Sequence, residues 1–359
     1  MTIVDIAKLF AMDEEPLAAE PYGCGHINDT YCVTSKTKRY ILQRINHHVF
    51  PNVAGLMDNI RRVTATLREK VLAAGGDPDR ECLQIIPTKD GQSYLALEGN
   101  YYRMYVFVEH TLSLQTVEDP IHFYYSAVAF GRFQKQLADF PAETLCEVIP
   151  NFHNTASRYA AFEEAVARDA KGRAAEVQQE IAFVRERRAD TEKVVALLES
   201  GELPLRVTHN DTKLNNVLLD DQTGKPMAVI DLDTVMPGSS LYDFGDSIRF
   251  GTNPCAEDEP DLSKVFCQVN LFEEYTKGYL EACGDSLTAK EKELLPFGAY
   301  LMTLECGIRF LTDYLDGDTY FKIHYPEQNL NRCHTQFTLA ADIMEKMDTL
   351  NAIVKKYDK

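Results

Sequence analysis

Apolar residues recur along this chain at two periods, and the change from one to the other falls near residue 110. Before it the pattern is mostly alternating. In segment 39–45, Tyr40, Leu42 and Arg44 oppose Ile41, Gln43 and Ile45, the period-two pattern of a half-buried strand. Short runs at 82–87, 93–97 and 101–108 predict three more strands, the last two joined by the turn Glu98-Gly99-Asn100. Segment 20–33 reads as strand, glycine turn, strand around Gly23-Cys24-Gly25. A helix is expected at 3–12. Another is expected at 53–74, where Leu56, Ile60, Val63, Leu67 and Val71 share one face and Gly75-Gly76 stops the pattern.

From residue 119 onward the helical period dominates. It predicts helices at about 121–138, 156–170, 174–200, 262–282, 289–315 and 329–356. Segment 205–234 departs from this, with short strand-like runs at 217–219 and 228–230 between polar loops. The acidic run Glu257-Asp258-Glu259-Pro260-Asp261 is expected to be a solvated loop. Repeats and low-complexity linkers are lacking. The expected architecture is α+β: a small antiparallel β-sheet lobe with a helix at 1–108 and a larger, mainly helical lobe at 109–359.

Composition narrows the function classes. The 359 residues carry Lys+Arg 37 against Asp+Glu 55, a net charge of −18, which argues against a sequence-independent nucleic-acid binder with a basic face. Anionic substrates stay possible, because a metal ion or a few local cations reverse the sign inside a site. The cysteines, 9 in all, include no CxxC pair, so a zinc site is unsupported and reduced thiols are expected. The N-terminus lacks a basic region ahead of its short apolar stretch, so it is not read as a secretory signal. The apolar runs are interrupted well before a bilayer-spanning length. The expectation is a cytoplasmic protein acting on a small molecule, with neither nucleic acid nor membrane as partner.

The strongest chemical signal is Val207-Thr208-His209-Asn210-Asp211-Thr212-Lys213-Leu214-Asn215-Asn216, of the form H-x-D-x-K-x-x-N, followed by an apolar strand. Downstream comes Ile230-Asp231-Leu232-Asp233, an acidic pair at a strand end. Taken alone, the first motif is also what a loop capping its own backbone looks like. Together the two meet the needs of phosphoryl transfer. One carboxylate accepts the acceptor's proton, a carboxamide and a second carboxylate hold Mg²⁺ on the phosphates, and a lysine neutralises developing charge.

These motifs resemble the aminoglycoside phosphotransferase and choline kinase superfamily, which shares the protein-kinase fold, and the resemblance spans nearly the whole chain. Within it, segments 21–28, 39–43, 206–216, 230–239, 242–251 and 305–321 resemble the bacterial N-acetylhexosamine 1-kinases. The resemblance implies ATP and Mg²⁺ as cofactors, Asp211 as the catalytic base, Lys213 as a γ-phosphate contact, and Asn216 and Asp231 as metal ligands. Asp243 would brace the catalytic loop, and Asp233 is a second acidic group at the metal or the sugar. His209 is expected to hold the loop by hydrogen bonds. Gly23 and Gly25 would let backbone amides approach phosphates. The adenine would hydrogen-bond to backbone at Val108, Glu109 and His110, with the Glu109 and His110 side chains read equally well as solvent-facing. His26 is placed by the resemblance near the sugar and is otherwise a turn histidine facing solvent.

One departure is chemical. Gln43 occupies the third-strand position where kinases carry a lysine. Either the chain is a nucleotide-binding pseudokinase, or it relies on Mg²⁺, backbone amides and Lys213. The complete set Asp211, Asn216 and Asp231 favours the second, and Gln43 is expected to pair with a polar helix residue, for which the candidate is Asn59, read otherwise as an exposed residue. For the acceptor, Phe250, Arg309, Tyr314 and Tyr320 suit a neutral sugar better than a cationic antibiotic. Arg309 either meets a ligand or pairs with Glu305 or Asp313, and Tyr320 is either a ligand contact or a packing aromatic. The activity implied is transfer of phosphate from ATP to the anomeric hydroxyl of GlcNAc or GalNAc. The alternative is another small-molecule hydroxyl kinase of the superfamily, of the aminoglycoside, choline or homoserine type.

Overall fold

The computed structural model describes every residue except Cys24, His26 and Lys359. In chain order it has α1 (Ile3–Ala7), β1 (Ala18–Pro21), β2 (Asp29–Thr34), β3 (Arg39–Ile45), α2 (Val53–Ala73), α3 (Pro78–Glu81), β4 (Ile85–Ile86), β5 (Leu95–Leu97), β6 (Asn100–Val106) and β7 (Thr111–Leu112). There follow α4 (Pro120–Gln136), α5 (Thr155–Arg168), α6 (Gln178–Glu186), α7 (Arg188–Glu199), β8 (Arg206–Thr208), β9 (Val217–Asp220), β10 (Pro226–Val229) and β11 (Met236–Gly238). The chain ends with α8 (Ser240–Gly251), α9 (Val269–Cys283), α10 (Ala289–Asp316), α11 (Gln328–Glu345) and α12 (Met347–Tyr357). The class is α+β, as the periodicities predict.

Two compact units emerge. The first comprises residues 1–113, 139–150 and 216–237, so it extends past residue 108 and recruits two later segments. Its larger sheet is antiparallel, in the order β1-β2-β3-β6-β4 with β5 also on β6, and β10-β9-β7 form a smaller sheet. One face of the larger sheet buries Val33, Tyr40, Leu42, Tyr102 and Met104 against Ile6, Ala7 and Phe10. The alternation then directs Ile41, Gln43 and Ile45 to the opposite face.

The second unit comprises residues 114–138, 151–215 and 238–359. It packs around α10, whose start is fixed by a capping box of Thr288 and Glu291 and whose end is Gly317 at φ 98°. Helix α8 crosses α10 at glycines. A Cβ on Gly245 would lie 2.3 Å from the Gly298 carbonyl oxygen, so no side chain fits at that crossing. Contrary to the sequence expectation, α10 is long and apolar enough to cross a membrane by length and composition, but 83% of that stretch is buried inside the protein.

Several boundaries differ from the sequence-based expectation. The first helix closes after Ala7, and of the strand expected at 82–87 only Ile85–Ile86 pairs, as β4 on β6. Segments 174–200 and 329–356 each break into two helices, at Arg187 and Lys346. The acidic run 257–261 is docked rather than solvated. Glu257 accepts from Arg249 Nη1 at 2.9 Å, and Asp258 accepts from Tyr325 and Gln328 at 2.9 and 2.7 Å. The eight described cysteines are free thiols, and burial pushes those of Cys82, Cys283 and Cys306 up to about 12.

Candidate active site

The H-x-D-x-K segment belongs to the second unit and follows β8. Its backbone is held by α8, the helix that the periodicity did not reveal. Asp243 is fully buried and accepts from the backbone N–H groups of His209 and Asn210 at 2.9 and 2.8 Å, and from Gln134 Nε2 at 2.7 Å. Burial raises its carboxyl pKa, against the charge of His209 and these donors. One turn on, Asp246 accepts from Thr212 N at 3.0 Å, and Ser247 Oγ donates to the Thr212 carbonyl at 2.7 Å. Asn210 is thereby held at φ 65°, a left-handed conformation that turns the chain just before Asp211. Buried His209 sits edge-on to Phe130 and Phe133, and its Nδ1 accepts from Asp211 N at 3.3 Å.

Asp211 and Lys213 stand together, Nζ to Oδ1 at 2.7 Å, with side chains 27% and 36% exposed. Burial would lower the Lys213 pKa, but the carboxylates of Asp211 and Asp246 outweigh it and the net shift is upward. The lysine is therefore a cation at any physiological pH, beside a carboxylate that water and ligands can reach.

Around Arg309 the second unit gathers aromatic rings. Its guanidinium carbon lies 5.3, 5.9 and 5.5 Å from the ring centres of Phe152, Tyr320 and Phe321. Glu305 is its carboxylate neighbour, at 3.9 Å. Asp313 is occupied elsewhere, accepting the backbone N–H groups of Thr319, Tyr320 and Phe321 at 2.8 to 2.9 Å, and so fixes the turn that presents exposed Tyr320. Phe250 is half-buried on α8. Tyr314, expected at the acceptor, is instead buried in the core, with Arg173 stacked 4.3 Å over its ring.

The first unit holds the other predicted residues. Gly23 adopts φ 77°, which a side chain would strain, and Gly25 has open space where a Cβ would be. His26 lies outside the described residues. Val108 is buried, the Glu109 carboxylate pairs with Arg39, and exposed His110 lies 3.6 Å from Asp221. Gln43 does not pair with Asn59. Its Nε2 donates to Thr30 Oγ1 at 3.0 Å, and its Oε1 accepts from Arg103 Nε at 2.9 Å. Asn59 donates instead to the carbonyls of Cys146 and Val235, at 2.8 and 3.0 Å. Asp233 is buried, ion-paired to Arg103, and accepts from Asn28 Nδ2 at 2.6 Å.

Asn216 and Asp231 are brought together within this unit by a backbone bond from Ile230 N to the Asn216 carbonyl, 2.9 Å. Asp231 takes φ 59°, turning its chain sharply off β10. One carboxylate and one carboxamide oxygen suit Mg²⁺, which usually takes one or two carboxylates and fills its octahedron with water and phosphate oxygens. Among the described residues no group of three or more His, Cys, Asp or Glu forms an all-protein cage. The donor set therefore fits a phosphate-borne cation.

Sequence reasoning missed several residues at these sites. Arg103 had no motif around it. The Asp246-x-x-Arg249 pair, joined by bonds of 3.0 and 2.9 Å, was visible only as an i,i+3 spacing. His153, which links Glu305 at 2.8 Å to the Asn210 carbonyl at 3.3 Å, had no local signal at all.

The profile of the "Phosphotransferase enzyme family" matches residues 18–277. Solved structures share the fold at low identity. An aminoglycoside phosphotransferase from Alicyclobacillus acidocaldarius is 14% identical, with a TM-score of 0.61 over 99% of this chain and 96% of that one. Choline kinase from Cryptosporidium parvum is 15% identical, with a TM-score of 0.60 over 99% and 98%. A spectinomycin phosphotransferase in complex with ADP and spectinomycin is 14% identical, with a TM-score of 0.54 over 96% and 97%. The fold is thus kinase-like, and the chain belongs to the phosphotransferase enzyme family.

Proposed function

We propose that this protein is a cytoplasmic kinase that uses MgATP to phosphorylate the anomeric hydroxyl of GlcNAc or GalNAc, yielding the 1-phosphate and ADP. The observation that carries the acceptor class is the aromatic group of Phe152, Tyr320 and Phe321, which surrounds the chain's own Arg309. Choline recognition needs such rings free for an external ammonium. A polycationic antibiotic needs unclaimed carboxylates, whereas Asp246 and Glu257 are held by Arg249, and Glu305 by His153. A neutral sugar with an acetamido group asks for donors and an aromatic wall. The choice of the 1-hydroxyl rests on the resemblance of segments 242–251 and 305–321.

In this reading Asp211 orients the acceptor hydroxyl and takes its proton as the oxygen attacks the γ-phosphorus. Lys213, kept charged by Asp211 and Asp246, neutralises charge on the transferring group. Asn216 and Asp231 would hold Mg²⁺, which supplies charge neutralisation on the phosphates. ADP in the spectinomycin phosphotransferase complex supports an adenine nucleotide as the donor.

The test is ADP release across GlcNAc, GalNAc, choline and an aminoglycoside, with ³¹P NMR of the product. N-acetyl sugars should turn over and give an anomeric phosphate. Arg309→Ala and Tyr320→Ala should raise the acceptor KM and leave the KM for ATP unchanged. Activity with choline alone, or a 6-phosphate product, refutes the sugar 1-kinase reading.

A further inference from the structure

We propose that Arg103 is the fixed cation of the nucleotide site, performing from the neighbouring strand the part that a third-strand lysine plays in protein kinases. The inference rests on the ATP-dependent reading above. In a protein kinase that lysine is held by a helix glutamate, beside a metal-binding aspartate. Here the strand position is the neutral Gln43, and Asn59 of α2 is committed to backbone atoms. The same three charges are nonetheless present in the first unit, on different residues.

Arg103 on β6 lies directly across the ladder from Gln43 on β3, so both side chains leave the sheet on one face. Nε of Arg103 donates to Gln43 Oε1 at 2.9 Å, which fixes the plane of the guanidinium. Its other end is ion-paired to Asp233, and the two side chains are 1% and 5% exposed. Asp233 is held from a second side by Asn28, whose Oδ1 in turn accepts from Asn46 N at 2.9 Å. Burial would lower the guanidinium pKa, yet Asp233, and after it Asp231, keep it above its ordinary value. One cation, its carboxylate partner and the metal-side carboxylate Asp231 reproduce the lysine, glutamate and aspartate of a kinase, with the ion pair moved from strand and helix to Arg103 and Asp233.

Stability alone gives little reason for such a pair. A buried ion pair is commonly no better for stability than apolar residues of the same volume. A planar guanidinium is also matched to phosphate oxygens. A site that must attract a polyphosphate has a use for a cation that no solvent screens.

The experiment measures MgADP affinity by calorimetry and melting of the ligand-free, full-length protein. The double variant Arg103→Met/Asp233→Asn removes both charges together, so no buried charge is left alone. It should melt within a few degrees of wild type and bind MgADP at least about tenfold more weakly. Arg103→Lys, which keeps the charge without the fork, should bind within about threefold of wild type. Wild-type affinity in the double variant overturns the proposal, because Arg103 then serves only to satisfy Asp233. Equal losses in Arg103→Lys and the double variant also overturn it. If the double variant does not fold, Arg103→Lys against Arg103→Gln is decided by the same ratio. A wild-type protein that binds no adenine nucleotide overturns the ATP reading itself and this inference with it, a result distinct from the others.

Discussion

Replacing Asp243 by asparagine keeps the side chain's shape and exchanges one acceptor oxygen for a donor. In the native protein Oδ2 receives His209 N at 2.9 Å and Gln134 Nε2 at 2.7 Å, while Oδ1 receives Asn210 N at 2.8 Å. Whichever way the asparagine amide sits, one backbone N–H of the catalytic loop must face an NH₂ group in a fully buried site. If the amide replaces Oδ2, Gln134 can turn over to accept from it, but its bond to the Val207 carbonyl at 3.0 Å is then lost. An orphaned buried donor costs about 1–3 kcal/mol, and loss of the charge-assisted character adds about another 1. Relief of burying the carboxylate offsets part of this, so about 2–3 kcal/mol of net destabilisation is expected. Asn210 immediately precedes Asp211, so the same change frees the residue proposed as the base. A misplacement of about 1 Å at a reacting group costs on the order of 10²-fold in rate. Urea unfolding gives the stability change, and steady-state kinetics give kcat, with the KM for ATP nearly constant. A variant within about 0.5 kcal/mol of wild type, the spread of ordinary surface substitutions, and with unchanged kcat would show that Asp243 does not hold the loop.

The remaining predictions are narrower. Asp211→Asn should lower kcat about 10²-fold or more while calorimetry shows nucleotide affinity retained; near-normal turnover would move the base elsewhere. Gly245→Ala places a Cβ 2.3 Å from the Gly298 carbonyl oxygen, so α8 and α10 must separate. Thermal melting should show a loss of about 2 kcal/mol or more, although alanine is the better helix former; a stabilised variant would refute the close crossing. Hydrogen bonds from Thr37 and then Ser35 lower the Glu14 carboxyl from 4.5 to about 2. A depressed acid contributes stability that is complete above its unfolded pKa and is lost as pH falls through the folded one. Glu14→Gln should therefore flatten the pH dependence of stability between 4.5 and about 2, and NMR titration should place the carboxyl near the lower value.

What could be read from the chain was local. The alternation at 39–45 and the helical stripe at 53–74 became β3 and α2, because each element needs only its own residues to mark the face it buries. The spacing from Asp211 to Asn216, and the acidic strand end at Asp231, were legible for a similar reason: neighbours in a loop or at a strand end stay neighbours once folded. Helix α8 escaped because nearly every residue from Ser240 to Gly251 is buried, so it presents no polar stripe against which a period could be seen. The acidic run at 257–261 was misjudged because its partners, Arg249, Tyr325 and Gln328, stand 8 to 70 residues away along the chain. The partner of Gln43 was likewise a matter of strand register. Arg103 is 60 residues distant and becomes its cross-strand neighbour only when β3 and β6 pair. Sequence by itself marked the candidate residues for phosphoryl transfer and the segments whose apolar period is strand-like or helical, since composition and period are properties of one segment. Tertiary structure alone decided that Gln134, Asp246 and Ser247 join Asp243 around segment 209–212 and which cation stands beside Gln43, because a buried charge or N–H is satisfied by whatever the fold brings to it, irrespective of distance along the chain.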